Sequence, residues 1–332
     1  MYARRRYKYL MIFLAVLAAC FIFLLIWNTT LIQRPEQPWL NYQWTYSRGG
    51  DRTSCATASN VPPPGNGLIV HYVRFYPVPN PNQKDHALNV LDCFSIYSVL
   101  VNLKPQLIYL HTNVPSFWPF VTCESLLEVT IDWSPVKVLC APFQFTVSGK
   151  RISLIEHEAD IRKFKAVEEH GGLVLDFDVY IIDGTLVRNL MRTNPCIICH
   201  EGSNGKVNAG FFGCRKPHSA YPRLVLQESY EKNYNPICWV CNSGIIPMTL
   251  LEKHADTAVI ADNVCTAPNF WQKEDFNSRR DRYNWTSKPA YHSYFHNSRF
   301  SLKDARNLES SLGDVFRWIL KGGPPELMGK QN

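Results

Sequence analysis

Charge is scarce in this sequence and unevenly spread. Only 19% of its 332 residues are Asp, Glu, Lys or Arg, and the formal net charge is +7. Four of the positive charges (Arg4, Arg5, Arg6 and Lys8) sit in the first eight residues, which leaves about +3 for the rest. No long basic stripe follows, and the cluster Arg279-Arg280-Asp281-Arg282 is interrupted by an acid. Binding a nucleic-acid backbone takes a dense array of cations, so nucleic acid is excluded as the main partner. Internal repeats and low-complexity tracts are also missing. With 46% hydrophobic residues, general disorder is excluded and a sizeable core is affordable in surface terms.

Charge is missing altogether from Tyr9 to Trp27, which read YLMIFLAVLAACFIFLLIW. Nineteen residues at about 1.5 Å each match a bilayer core of about 30 Å. Lys and Arg on the N-terminal side keep that end cytoplasmic and send the bulk of the chain across the membrane. A cleaved signal peptide fits less well, because the run is long and has no clear small-x-small stop. Leu17-Ala18-Ala19-Cys20 has the look of a lipoprotein site, but apolar residues continue for seven positions beyond it. The expected organisation is a cytoplasmic tail (1–8), a signal anchor (9–27), a polar stem with Pro62-Pro63-Pro64 (28–66), a lumenal domain (67–322) and a C-terminal tail (323–332).

Ten cysteines lie beyond the anchor: Cys55, Cys93, Cys123, Cys140, Cys196, Cys199, Cys214, Cys238, Cys241 and Cys265. An even set in an oxidising lumen implies disulfides, whose pairing the sequence leaves open. Two pairs, Cys196-x-x-Cys199 and Cys238-x-x-Cys241, raise the rival reading of a Cys₄ zinc site. Their separation of 38 residues is wider than the usual ribbon spacing, so bridges are the expected state. Asn284-Trp285-Thr286 could accept a glycan, in keeping with that compartment. Asn28-Thr29-Thr30 also fits the pattern but sits close to the anchor.

From Gly67 the pattern becomes that of a parallel α/β domain. Leu68–Val73, Leu107–His111 and Val136–Cys140 are short apolar runs suited to buried strands. Ala87–Leu103 has helical spacing and stops before Pro105. Ser153 with Glu156 three residues on predicts a capping box opening a helix that Gly171-Gly172 closes. Leu173-Val174-Leu175 then runs as a buried strand into Asp176-Phe177-Asp178, and Val179–Ile182 continues it. Further strands are expected at Cys196–Cys199 and Gly210–Gly213, and helices at Ala220–Lys232 and Pro247–His254.

Asp-x-Asp alone is a common solvated turn. Here it stands where a buried strand ends, the side on which open α/β sheets bind ligands. In an extended chain residues two apart share a face, so Asp176 and Asp178 could act on one ion. Two hard oxygen ligands beside a diphosphate suit Mn²⁺ or Mg²⁺. His157 and Asp160, three apart on the preceding helix, share a face with Phe164 and Val167. An acid on that face needs a partner, and Lys163 or Arg162 is the candidate.

His157-x-x-Asp160, followed after ten residues by Gly171-Gly172-x-x-x-Asp176-x-Asp178, resembles the DXD sugar-binding-region glycosyltransferases of family 32. That group includes α-1,4-galactosyl-, α-1,4-N-acetylglucosaminyl- and initiating α-1,6-mannosyltransferases, and it is similar to the sugar-transferring domain of large clostridial toxins. The resemblance extends from about Gly67 to Leu320, through Ile69-Val70-His71-Tyr72-Val73, Glu201, Asn208-Ala209-Gly210, Asn242-Ser243-Gly244-x-x-Pro247, and His292 or His296. It implies a GT-A type, Rossmann-like domain that transfers a hexose or N-acetylhexosamine, with retention, from a nucleotide sugar. UDP donors are favoured over GDP donors, and the acceptor is a glycolipid or glycoprotein glycan in the Golgi. By the resemblance Asp160 and Asp178 are catalytic. His71, Asp160, Arg162, Lys163, Gly172, Asp176 and Asn242 bind the donor. Asp176, Asp178, His292 and His296 bind the metal. Lys163 stands where the family usually has Arg, Val174 where it often has Tyr, and Phe177 where it commonly has a small residue between the acids. The second functional reading is a non-catalytic lumenal relative that kept the fold, marked by loss of metal binding with folding retained.

Overall fold

In a computed structural model of the chain the described residues are 67–76, 87–114, 118–201, 205–261 and 284–323. All belong to residues 53–332, the second of two units into which the chain divides. The expected tail, anchor and stem (1–66), residues 324–332, Cys55, Cys265, the Asn28 sequon and the 279–282 cluster lie outside the described residues. Among the described residues no helix is long and apolar enough to cross a membrane.

The elements run β1 (Ile69–Arg74), α1 (Val90–Ser98), β2 (Leu107–Thr112), α2 (Cys123–Leu127), β3 (Val136–Cys140), β4 (Thr146–Val147), β5 (Lys150–Arg151), α3 (Ile155–His170), β6 (Gly172–Leu175) and β7 (Val179–Ile181). They continue α4 (Gly184–Thr193), β8 (Cys196–His200), β9 (Val207–Cys214), α5 (Ala220–Leu224), α6 (Ile246–Lys253), β10 (Val259–Ile260), β11 (Ala290–His292), α7 (Leu302–Asn307) and α8 (Ser311–Leu320).

The main sheet has the order β10-β8-β9-β6-β1-β2-β3. β6, β1, β2 and β3 are mutually parallel, as the uninterrupted apolar strands require for a sheet covered on both faces. β9 runs antiparallel to both β6 and β8, so the sheet is mixed and not purely parallel as expected. Period-two alternation divides β6 between two cores. Leu173 and Leu175 pack in the core containing Phe94 of α1 and Phe316 of α8, and Val174 in the one containing Phe164 of α3 and Phe212 of β9. This parallel-rich arrangement fits the GT-A type.

Local chemistry explains most element boundaries. α1 starts at Asn89, whose side chain and that of Asp92 form a reciprocal capping box. A π-helical turn over Val99–Leu103 extends it, and Lys104 at φ +49° ends it before Pro105. The capping box expected at Ser153 and Glu156 does not form. The Ser153 hydroxyl donates to the Pro236 carbonyl, and α3 begins two residues later after Leu154, with no side-chain cap. Glu156 and Glu158 still sit in its first turn, where the helix dipole favours acids. The helix expected over 220–232 is α5 continued by a π-helical stretch, Val225–Lys232.

Disulfides join Cys93 to Cys123, Cys196 to Cys214, and Cys238 to Cys241. Cys140 and Cys199 are bridged as well. The zinc reading of Cys196, Cys199, Cys238 and Cys241 is thereby overturned, because all four sulfurs are in disulfides and none is left as a metal-binding thiolate.

Candidate metal centre

The centre is built where β6 leaves the sheet. Asp176 and Asp178 do not lie on an extended strand: Val179 N–H donates to the Asp176 carbonyl at 3.1 Å, closing a turn between β6 and β7. The two acids therefore do not share a strand face as expected, and the turn brings them together instead. β11 completes the set by pairing antiparallel with β7, which puts His292 directly opposite Val179. One ligand atom each from Asp176, Asp178 and His292 lie within 4.8 Å of one another, so the three could hold a metal ion. His292 Nε2 is 3.3 Å from Asp178 Oδ1, and the exposed His296 reaches Asp178 Oδ2 at 3.4 Å.

Burial and charge set the character of the centre. Burial of Asp178 by itself would raise its carboxyl pKa, but His292 and His296 outweigh that and hold it well below the usual carboxylate range. The Tyr294 ring lies flat on His292 with centroids 3.7 Å apart, which fixes the imidazole plane. Tyr294 Oη accepts from Asn208 Nδ2 at 3.1 Å, and Asn208 Oδ1 accepts from Gly210 N–H at 2.6 Å. Burial and the nearby acids Glu201, Asp178 and Asp176 push the Tyr294 phenol up.

α3 supplies the cation. Lys163 Nζ lies 2.7 Å from Asp176 Oδ1 and 3.0 Å from Asp160 Oδ1, so it ties the helix acid to the turn acid. Burial opposes its charge, but the two carboxylates outweigh burial and raise its pKa. Of the two candidate partners for Asp160, Lys163 is the one in contact.

A donor set of two carboxylates and one imidazole suits a divalent transition metal with oxygen preference. His292 is 3% exposed and its Nδ1 has no partner among the described residues, so its ring is oriented by the Tyr294 stack and the Asp178 contact and not by a hydrogen bond from Nδ1.

Other expected site residues lie in the frame around this centre. His71 is fully buried in β1 with both ring nitrogens engaged. Arg162 Nε–H donates to His111 Nδ1 at 3.2 Å, so His111 must carry its proton on Nε2 and donate to His71 Nδ1 at 3.1 Å. His71 Nε2–H then donates to the Gly171 carbonyl at 2.8 Å. The other end of Arg162 pairs with Glu169 at 2.8 Å. Gly172 has φ +91°, and a Cβ there would lie 2.5 Å from the Ile69 carbonyl, so only Gly lets β6 approach β1. Asn242 is a latch: its amide accepts from Asn235 N–H at 2.9 Å and donates to the Asn235 carbonyl at 2.8 Å.

The histidine chain has a pH consequence. Burial, above all, holds His71 at a pKa of about 3, with His170 and Arg162 adding to the shift and the Gly171 bond opposing it. The folded state therefore binds fewer protons than the unfolded state below the ordinary histidine value of about 6.5. The stability this confers is complete above that value and is lost as pH falls toward 3. His71 alone should cost about 3 kcal/mol by pH 4. Urea midpoints at pH 7, 5 and 4 should fall steadily, and a flat profile would contradict the assignment.

No family model matches the sequence, and no curated protein matches it. Among solved structures the fold is similar to the galactosyltransferase LgtC in complex with donor and acceptor sugar analogs, at 12% identity over 80% of this chain and 100% of that one, TM-score 0.42. It is similar to the glycosyltransferase GlyE of Streptococcus pneumoniae TIGR4, at 13% identity over 79% of this chain and 61% of that one, TM-score 0.44. Mouse xyloside xylosyltransferase 1 aligns at 10% identity over 70% of this chain and 99% of that one, TM-score 0.39. These neighbours are glycosyltransferases in general and do not single out family 32. Identities this low, with TM-scores under 0.5, leave function to be argued from the site itself.

Proposed function

We propose that the chain is a metal-dependent glycosyltransferase that moves a hexose or N-acetylhexosamine from a nucleotide sugar to a glycan acceptor with retention. The observation that carries this reading is the convergence of Asp176, Asp178 and His292, with Lys163 joining Asp176 to Asp160. Asp176, Asp178 and His292, with His296 at the rim, would hold Mn²⁺ in preference to Mg²⁺ because an imidazole is in the set. The ion supplies electrostatic stabilisation of the departing diphosphate. Lys163 places a fixed positive charge beside that leaving group, and Asp160 offers a carboxylate to the donor sugar hydroxyls. His292, held flat by Tyr294, keeps its orientation as charge builds on the phosphate. UDP donors are favoured over GDP donors through the family resemblance alone.

The same reading makes the chain a single-pass type II Golgi membrane protein with this domain in the lumen. Asn284 is exposed, and the Thr286 hydroxyl donates to its Oδ1 at 2.8 Å. Protein made in animal cells should shift in mobility when treated with a glycosidase that removes N-linked glycans. For activity, UDP- and GDP-sugars should be screened for hydrolysis and transfer with Mn²⁺. Turnover of at least one donor, abolished by EDTA and restored by Mn²⁺, is expected. Turnover unaffected by EDTA would refute the metal-dependent reading.

A further inference from the structure

The acids of the metal centre sit on a turn, and turns are soft unless something holds them. Helix α1 and strand β1 hold this one from behind. Ser95 is fully buried, and its hydroxyl donates to the Val179 carbonyl at 2.7 Å, with the Asp176 carbonyl at 3.4 Å. Those two carbonyls bracket the Asp176-Phe177-Asp178 turn. The Tyr72 phenol lies 3.0 Å from the same hydroxyl and donates to it, since the Ser95 proton goes to Val179. Phe177, between the acids, has its ring 4.8 Å from that of Tyr72 and 4.3 Å beneath the Arg74 guanidinium. Arg74 in turn pairs with Asp92 at 2.6 Å, and Asp92 belongs to the capping box that opens α1.

Asp92 and Ser95 are three apart on α1, and Ser98 and Asn102 continue the row at helical spacing. Ser98 Oγ accepts from Ile181 N–H at 2.9 Å, and Asn102 Nδ2 donates to the Ile181 carbonyl at 2.7 Å. The polar seam of α1 is thus hydrogen-bonded along the chain that leaves the metal centre. Only its Ser95 end touches the turn itself.

We infer that Ser95, with the Phe177–Arg74 stack beside it, is a positioning element for the metal ligands. It fixes the backbone on both sides of the turn so that Asp176 and Asp178 face His292 before any ion arrives. The inference rests on the metal-centre reading above. Groups that hydrogen-bond a ligating side chain are worth about 10- to 100-fold in metal affinity when removed. Ser95 acts one bond further off, through the backbone, so the low end of that range is expected. Neither Ser95 nor Phe177 offers an atom to the ion, so any effect must pass through ligand geometry.

The test compares two substitutions on one helix. Ser95→Ala and Ser98→Ala each delete one buried hydroxyl bonded to the same chain segment, without changing charge. Mn²⁺ alone is the probe, with free ion counted by electron paramagnetic resonance. Circular-dichroism melts of the same samples report stability. Ser95→Ala should raise the Mn²⁺ Kd about tenfold, while Ser98→Ala stays within about twofold of wild type despite a comparable loss in melting temperature. Phe177→Leu, which keeps an apolar side chain but loses the stack under Arg74, should also weaken binding. If Ser95→Ala and Phe177→Leu bound Mn²⁺ as wild type does, or if Ser98→Ala weakened binding as much as Ser95→Ala, the positioning role would be wrong while the metal centre stood. If wild type and Asp178→Asn bound Mn²⁺ equally weakly, the metal-centre reading would fall and this inference with it.

Discussion

Asp178→Asn is expected to fold normally and lose donor turnover by at least two orders of magnitude. Asp178 is 6% exposed and held in its charged form by His292 and His296, so it is the most committed carboxylate of the centre. The amide keeps the size and one oxygen acceptor but surrenders the charge that a hard divalent ion needs. A metal contributes several kcal/mol of transition-state stabilisation, and each 1.36 kcal/mol is tenfold in rate, which sets an expected loss of about 10²- to 10⁴-fold. The loss should fall on kcat/KM. The melting temperature should drop as well because the amide gives up the charged contacts with His292 and His296, while a cooperative unfolding transition shows that the fold is kept. Asp178 O accepts from Ser293 N–H at 2.9 Å in either variant. A folded Asp178→Asn protein that turned over a donor at the wild-type rate would remove the basis for the proposed activity.

The second large effect is expected from a glycine. A Cβ on Gly210 would lie 2.5 Å from Asp176 Oδ2 and 2.7 Å from Asn208 Oδ1. Both are ends of side chains that can move only by giving up the contacts that hold them. Asp176 is held by Lys163 at 2.7 Å, and its own N–H donates to the Gly210 carbonyl at 2.9 Å. Asn208 is held by Tyr294, which orients His292. Gly210→Ala therefore forces one of two losses: the Asp176 carboxylate leaves its place, or the Asn208–Tyr294 contact opens. Overpacking of this sort costs about 1–3 kcal/mol, and here the strain falls on ligand geometry. We expect at least tenfold weaker Mn²⁺ binding and a larger loss in kcat/KM. Unchanged Mn²⁺ affinity in Gly210→Ala would mean that Asp176 Oδ2 does not matter to the centre.

Much of this was legible in the sequence because apolar runs and glycine pairs encode local structure directly. The strands at 69–74, 107–112, 136–140 and 172–175 follow from their apolar composition, and Gly171-Gly172 marks the end of α3 before the structure is seen. Asp160 and Lys163 could be paired from helical spacing. Pairing across the chain was harder. β9 runs antiparallel because it returns beside β6 after the short strand β8, and strand direction leaves no trace in residue type. The expected Ser153 cap lost to a tertiary contact, since the Pro236 carbonyl took the hydroxyl. His71 and Asn242 matched a family pattern, yet their polar atoms bond within the protein frame: a motif records that a residue is needed without recording why. Tyr294 gave no sequence signal, because its stacking on His292 depends on a left-handed backbone at φ +51°. The polar seam on α1 was within reach. Ser95, Ser98 and Asn102 recur at helical spacing within a segment otherwise apolar enough to be core, and buried polar groups need partners.

The central claim is that Asp176, Asp178 and His292 together hold one divalent ion. Crystals grown with MnCl₂ and UDP, measured at the manganese absorption edge, test it most directly. The account predicts one strong anomalous peak in direct contact with all three side chains, with UDP phosphate oxygens completing the coordination. A manganese peak elsewhere, or a bound UDP diphosphate lying away from these residues, would contradict it.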